Sequence, residues 1–153
     1  MKASPDEHDR AHALKCELAC EVLRFSGYVR LRVGGWSMLP TIWPGDTLEL
    51  ERVECDKLSA GDVVLFHRDR RLFVHRILNS DGSTIFTQGD AMPQPDPAVK
   101  KRELLGRVTC IVRDGKRIQP TKTLSLSHRA VAAVARSSEF GARVIVGMRG
   151  LLQ

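Results

Sequence analysis

The sequence contains no long hydrophobic run of the kind that carries a protein into or across a membrane. A transmembrane helix needs about 18 consecutive apolar residues, and no such run occurs. The polar start, residues 1–7, has no apolar stretch of the kind that a secretory signal peptide requires. We therefore expect a cytoplasmic protein, with peripheral binding to a membrane as the alternative.

The spacing of the cysteines excludes the common paired motifs. The 4 cysteines form no Cys-x-x-Cys pair, so free thiols in a reducing compartment are expected. Metal-ligating residue types recur at every fourth position near the start: His8, His12, Cys16 and Cys20. On a helix these four would span about 18 Å and could not bind one ion together. The sequence predicts no metal site and no cofactor.

Internal repeats and low-complexity segments are also absent. A chain of 153 residues with 42% hydrophobic residues is typical of one globular domain with a single core. The net charge of +6 would suit anionic partners such as nucleic acid or acidic lipid headgroups. Because such a charge is also common on ordinary soluble proteins, we predict no nucleic-acid partner.

Residues 1–27 predict an amphipathic N-terminal helix. Ser4 can cap its start, Pro5 suits the first turn, and Glu7 stands where a capping box places its acid. Apolar side chains then recur at steps of three and four residues: Ala11, Leu14, Leu18, Val22 and Phe25. They form one apolar stripe, and Gly27 is a natural stop for the helix.

Residues 28–120 predict a mainly β domain. Short strand-like segments follow one another at regular spacing: 29–33, 47–53, 63–66, 72–78, 84–88, 105–112 and 116–119. The segments 68–71 and 81–83 should be turns, and Asp114-Gly115 is a strong hairpin signal. Residues 90–97 contain three prolines and should form an extended loop. These segments predict a small barrel or a coiled sheet.

Residues 121–153 predict a basic C-terminal tail that is helical from about residue 127. Apolar and basic residues fall on opposite sides of this helix: Val131, Val134, Ala142 and Ile145 against Arg129, Arg136 and Arg143. The helix could pack on the β domain or on a partner. It could instead lie on an anionic membrane surface, which would make the tail a peripheral membrane contact.

A stiff serine-containing turn stands out between the first two predicted strands. Ser37 follows the pair Gly34-Gly35 and precedes Pro40 and Pro44. The prolines restrict the backbone, so the turn can hold a hydroxyl exposed and aimed, as a nucleophile requires. An ordinary loop leading into a strand is the alternative interpretation of these residues.

Further along the chain stand residues that could complete a catalytic group. His75 lies in the middle of a predicted strand, on the same face as Phe73 and Ile77, because side chains alternate along a strand. Asp90 and Asp96 lie in the proline-rich loop. Together with Ser37 they supply a nucleophile, a base that exchanges protons near neutral pH and an acid to orient that base.

Four segments occur in the order and approximate spacing of type I signal peptidases. They are Ser37-Met38-Leu39-Pro40-Thr41 with Pro44-Gly45-Asp46, Gly61-Asp62-Val63-Val64, Val74-His75-Arg76, and Gln88-Gly89-Asp90. Over about residues 33–112 the chain therefore resembles the S24/S26 serine peptidase superfamily, which also includes the self-cleaving LexA-like repressors. The histidine matches the endoplasmic-reticulum, archaeal and spore-former branch, whereas other branches carry a lysine there. The resemblance implies a coiled-sheet or pseudo-barrel catalytic core flanked by the two helices.

The resemblance also implies a serine endopeptidase that cleaves a precursor protein or peptide. Ser37 would be the nucleophile, His75 the general base and Asp96 the acid that orients the imidazole. Asp90 and Gly35 would be supporting residues, with Asp90 holding either its loop or the histidine. Backbone N–H groups around Ser37 would bind the oxyanion, and Met38 with apolar residues near Phe73 would line the substrate pocket.

The chain departs from the histidine branch in two ways, and two other functions stay open. That branch usually carries a membrane span before the serine and an asparagine after the Gly-Asp box, where this chain has Ala91. A non-catalytic peptide-binding module of the same fold is one alternative, although Ser37, His75 and Asp96 are intact. A self-cleaving LexA-like regulator is the other, although one predicted helix before the serine is too few for a helix-turn-helix.

Overall fold

An eight-stranded antiparallel sheet forms the body of the molecule, with one helix before it and one after it. The computed structural model describes residues 5–137. The helices are α1 (Pro5–Ser26) and α2 (Leu126–Ser137). The strands are β1 (Tyr28–Arg32), β2 (Thr47–Glu51), β3 (Val63–Arg68), β4 (Arg71–Ser80), β5 (Thr84–Gln88), β6 (Val99–Lys100), β7 (Leu104–Arg113) and β8 (Lys116–Ile118). The mainly β prediction with two flanking helices is confirmed.

The sheet is open and is not closed into a barrel. Its order is β1-β2-β7-β3-β4-β5-β6, and β8 pairs with the end of β7. Within the described residues the two edge strands pair only with β2 and β5, and β6 is only two residues long. The barrel prediction is therefore wrong. Sequence spacing locates strands but does not say whether the first and last of them meet.

Two tight hairpins fix the register of their strands, and the first of them places His75. Asp69 and Arg70 both have positive φ, of 50° and 59°, and join β3 to β4. Asp114 and Gly115, at 50° and 74°, join β7 to β8 in the same way. Such a turn matches the twist of the strands that it connects and fixes which residues face each other. The predicted turn residues are thus the ones that the chain uses.

Two apolar clusters pack on opposite faces of β3. Val63 and Leu65 belong to the larger cluster, and Val64 and Phe66 to the smaller one. The larger cluster also contains Leu23 of α1, which covers that face. Because successive side chains alternate, a central strand that is buried on both faces must be apolar at every position.

Helix α1 lies within the predicted range 1–27, but its buried face is not the predicted stripe. Leu14, Leu18 and Phe25 are 66%, 60% and 99% exposed. The buried residues lie on a neighbouring face of the helix and are also spaced by three and four positions: Cys16, Ala19 and Leu23. Cys16 and Ala19 are small, and Leu23 is the one large member of the set, which enters the larger apolar cluster. The spacing of the apolar residues therefore did not by itself identify the buried face.

Helix α2 packs on the domain through small residues as well. Ala132 and Ala135 are buried, and Ala135 belongs to a third apolar cluster with Leu39 and Ala91. Val134, predicted on the packing side, is 54% exposed, so that prediction is wrong. The predicted positions further along this helix, Ala142, Arg143 and Ile145, lie outside the described residues.

Candidate active site

Ser37 lies on a turn that follows β1 directly. The segment carrying it is closed by two backbone hydrogen bonds of 2.8 Å, from Val33 N to Asp46 O and from Gly45 N to Val33 O. Asp46 is in turn paired with Arg113 of β7, whose Nη2 lies 2.6 Å from Asp46 Oδ2. The sheet therefore anchors both ends of the segment that presents the serine.

His75 lies in β4 and points towards Ser37. The β3–β4 pairing sets it opposite Val64, and its ring packs near Phe66 and Phe73, with centroid distances of 5.9 Å and 6.1 Å. The residue is only 4% exposed. Its Nε2 lies 3.0 Å from Ser37 Oγ, within hydrogen-bond reach. The predicted position of the histidine on the Phe73 face is confirmed.

Asp96 meets the other nitrogen of the imidazole from the proline-rich loop. Its Oδ2 lies 2.6 Å from His75 Nδ1 and accepts a second hydrogen bond, of 2.7 Å, from Thr87 Oγ1. Burial opposes ionisation of this carboxyl, but the hydrogen bonds from His75 and Thr87 outweigh it, so the pKa of Asp96 is lowered. Asp96 is therefore a carboxylate at neutral pH and can keep a proton on Nδ1, leaving Nε2 to accept one.

Arg68 of β3 fixes the loop just beyond Asp96. Its guanidinium donates to Pro97 O at 3.0 Å and to Ala98 O at 2.8 Å, and it pairs with Glu103 through Nε at 2.9 Å. The hydrogen bond from Arg68 lowers the pKa of Glu103 to about 2. One arginine thus connects a strand, the carbonyls of the loop and an acid that keeps the arginine in place.

Asp90 binds Arg76 and Thr41, whereas Asp96 binds His75. Arg76 donates to both of its carboxylate oxygens, each at 2.8 Å, and Thr41 Oγ1 donates to Oδ2 at 2.5 Å. Both members of the ion pair are buried. Because Thr41 lies in the serine turn and Arg76 follows His75, the contacts of Asp90 join the two segments that carry Ser37 and His75.

Gly89 has no room for a side chain. A Cβ at this position would lie 2.6 Å from Ser37 O and 3.1 Å from His75 Nε2. The neighbouring Ala91 N donates to Ser37 O at 2.9 Å. The Gln88-Gly89-Asp90 segment therefore packs backbone to backbone against the serine turn, which explains the need for glycine there.

Of the other two predicted supporting residues, Gly35 lies on the surface and Met38 lies in the core. Gly35 is exposed, two residues before the serine. Met38 is 4% exposed and belongs to the larger apolar cluster. Its side chain therefore belongs to the core next to Ser37, and this placement gives no support to the predicted pocket-lining role.

Several residues that hold the site were missed at the sequence level. Thr87 and Thr41 each donate to a site carboxylate, and Arg76 neutralises Asp90. A signal existed for Arg76: it follows His75, so it points to the opposite face of a buried strand, where a cation needs an acid. No local pattern marks Arg136 of α2, whose Nε donates to Asp90 O at 2.9 Å.

The arrangement has the order of contacts that nucleophilic catalysis needs. Oγ of Ser37, the two nitrogens of His75 and the carboxylate of Asp96 form one continuous chain of hydrogen bonds. A hydroxyl next to a base that is oriented by a carboxylate can add to an acyl carbon. Among residues 5–137, no group of three or more His, Cys, Asp or Glu side chains is arranged to bind a metal ion.

Two further findings bear on what kind of protein this is. Neither described helix combines the length and the hydrophobicity that crossing a membrane requires. A scan against known protein families and a search of curated proteins both find no match for the chain.

Proposed function

We propose that the protein is a serine endopeptidase of the histidine type, similar to signal peptidase I, with a fold related to the S24/S26 superfamily. The observation that carries this proposal is the hydrogen-bond chain from Ser37 Oγ through His75 to Asp96, with distances of 3.0 Å and 2.6 Å. Three side chains separated by up to 59 residues meet in the order in which the chemistry uses them. The substrate is a precursor protein or peptide.

The reaction follows from the positions of the atoms. As Ser37 Oγ attacks the carbonyl carbon of the scissile bond, its proton passes to His75 Nε2. The imidazolium, stabilised by Asp96 at Nδ1, then gives that proton to the departing amine, which leaves an acyl-serine. A water molecule, deprotonated by His75 in the same way, hydrolyses this ester and regenerates the serine.

The oxyanion of the tetrahedral intermediate needs hydrogen-bond donors on the serine turn. Within the described residues, the backbone bonds of this turn are donated by Leu39 and Ile42, to Trp36 O and Met38 O. None of these bonds uses the amide of Ser37. We assign the Ser37 N–H to the oxyanion hole, where one well-placed donor contributes about 3 kcal/mol to transition-state stabilisation.

Cleavage of a peptide library tests the proposal. The wild-type protein is incubated with mixed peptides, and new termini are identified by mass spectrometry. Ser37→Ala should lose all cleavage, because no other atom can form the acyl-enzyme, while its circular dichroism spectrum and melting temperature stay near those of the wild type. Ser83→Ala, on the β4–β5 turn, serves as the matched control and should retain full activity.

The outcomes separate the candidate functions. Cleavage that persists in Ser37→Ala would overturn the assignment of the nucleophile. Peptides that bind to wild type and to Ser37→Ala but are never cut would support a non-catalytic module. Fragments of the protein itself, formed at a rate independent of its concentration, would support a self-cleaving regulator.

The proposal extends to where the protein acts in the cell. We place the protein in the cytoplasm, with contact between its basic tail and an anionic membrane as the alternative. Cell fractionation at low and high salt tests both, since an electrostatic contact would be released by salt.

A further inference from the structure

The loop of residues 89–91 sits directly behind the nucleophile and is held on several sides. Ala91 N donates to the carbonyl of Ser37, and Gly89 approaches that same carbonyl closely. The Asp90 carboxylate between them is bound by Arg76 and Thr41. Any movement of this loop would therefore shift the backbone of the serine.

Helix α2 also contacts this loop, through one hydrogen bond and one apolar contact. Arg136 Nε donates to the Asp90 carbonyl at 2.9 Å, and Ala135 packs with Ala91 and Leu39 in the third apolar cluster. The carboxylate of Asp90 already has its donors, whereas the carbonyl takes its hydrogen bond from the helix. The two contacts are adjacent, because Arg136 and Ala135 are neighbours in α2 and Asp90 and Ala91 are neighbours in the loop.

Thr121 and Lys122, in the segment before α2, bind residues close to the 89–91 loop. Arg76, which binds Asp90, also donates through Nη1 to Thr121 O at 2.5 Å. Lys122 Nζ lies 3.3 Å from Asp62 Oδ1 and donates to Ser59 Oγ at 2.6 Å. The chain from β8 to the end of α2 thus runs across the back of the site, attached first near Arg76 and then at the 89–91 loop.

We infer that Arg136 is a positioning residue: by holding the Asp90 carbonyl, it fixes the 89–91 loop and through it the orientation of Ser37 towards His75. The effect should be local, because the two clusters that pack on β3 contain no α2 residue. The part of this inference that concerns the rate of catalysis rests on the proposed function; the part that concerns the loop does not.

Hydrogen exchange measures the loop without any substrate. Arg136→Ala keeps a good helix former in α2 but removes the donor to Asp90 O. We expect the Ala91 amide to exchange about tenfold faster in this variant, since its bond to Ser37 O depends on a fixed loop, while amides of β3 keep their protection. Arg129→Ala, an exposed arginine on the same helix, is the matched control and should leave both regions unchanged.

Turnover is then compared in the same variants with a peptide that the wild type cleaves. Arg136→Ala should lower kcat about tenfold with little change in KM, because substrate contacts are retained while the serine is held less well. Arg136→Lys, which keeps a cationic donor, should recover part of both losses. A merely structural role would instead lower protection throughout the sheet and leave kcat per folded molecule unchanged.

Hydrogen exchange tests the positioning role of Arg136, and peptide cleavage tests the proposed function, so each idea can be overturned without the other. If Ala91 exchange in Arg136→Ala equals that in Arg129→Ala, the positioning role is wrong, whatever the activity. If exchange rises as expected but the wild type cleaves no peptide, the proposed function is wrong and the link between α2 and the loop stands.

Discussion

Asp96 shows how a single side chain decides the chemistry available to its neighbour. Its carboxylate takes the Nδ1 side of His75, which leaves Nε2 facing Ser37. Asp90, six residues earlier in the same loop, instead neutralises Arg76. The two acids look equivalent in the sequence, but their partners differ: Asp96 orients the imidazole of His75, and Asp90 holds the loop.

Asp96→Asn should therefore lower kcat far more than it lowers stability. An amide in place of the carboxylate can stabilise the wrong tautomer and cannot stabilise the imidazolium, and a loss of about 10³- to 10⁴-fold is expected. Steady-state kinetics on a cleaved peptide measures it, with KM expected to change little. Asp69→Asn, on the β3–β4 hairpin, is the control, and a kcat for Asp96→Asn close to that of this control would rule out the orienting role.

At the scale of the element, α1 shows that spacing alone does not select a buried face. Two stripes of the helix have helical spacing, and the one with larger apolar residues is the exposed one. The buried stripe consists of Cys16, Ala19 and Leu23, and burial raises the pKa of the Cys16 thiol to about 11. This buried thiol is therefore protonated and packs as a small apolar group.

Ala19→Leu and Leu18→Ala test this assignment of faces as a pair. Ala19 is 3% exposed, so added methylene groups should destabilise the fold by about 1–3 kcal/mol through overpacking. Leu18 is mostly exposed, and its replacement by alanine should change the free energy of unfolding by about 0.5 kcal/mol or less. Urea denaturation of both variants measures the difference; the reverse order of effects would mean that the helix packs through its leucine stripe.

At the scale of the whole molecule, the Arg68–Glu103 pair makes stability depend on acidity. The pair connects β3 to the segment before β7 and secures the loop that carries Asp96. The pKa of Glu103 is lowered in the folded protein from 4.5 to about 2, chiefly by the hydrogen bond from Arg68. A lowered pKa means that this contribution to stability is complete above pH 4.5 and is lost as the pH falls through 2.

Glu103→Gln should remove that dependence. The variant should be less stable than the wild type by about 1 kcal/mol near neutral pH, a value kept small because solvent screens a partly exposed pair. The difference should shrink between pH 4.5 and 2, where the wild-type carboxylate takes up its proton. Urea unfolding at several pH values measures it, with Glu17→Gln on the exposed side of α1 as control. A difference that is the same at pH 6 and pH 2 would contradict the assignment.

The sequence by itself determined the elements and the candidate residues of the site. Period-two alternation and the turn residues at 69–70 and 114–115 are local properties, because they depend on neighbours in the chain. The structure contains both helices and all seven strands so predicted. The two-residue strand β6 was missed, since it is too short to show any period. Ser37, His75 and Asp96 were likewise found from motifs in the sequence.

Only the tertiary structure decided which of these parts meet. The sheet stays open, and α1 buries the stripe of Cys16, Ala19 and Leu23. Asp96 rather than Asp90 binds His75, and Arg136 holds the Asp90 carbonyl. All four features depend on contacts between distant segments. Such contacts are set by shape, by the need of every buried polar group for a partner and by the distance at which elements pack. None of these quantities is local to a stretch of sequence. The resemblance implied that Ser37, His75 and Asp96 meet, but the partners of Asp90 and the contacts of α2 could not be predicted.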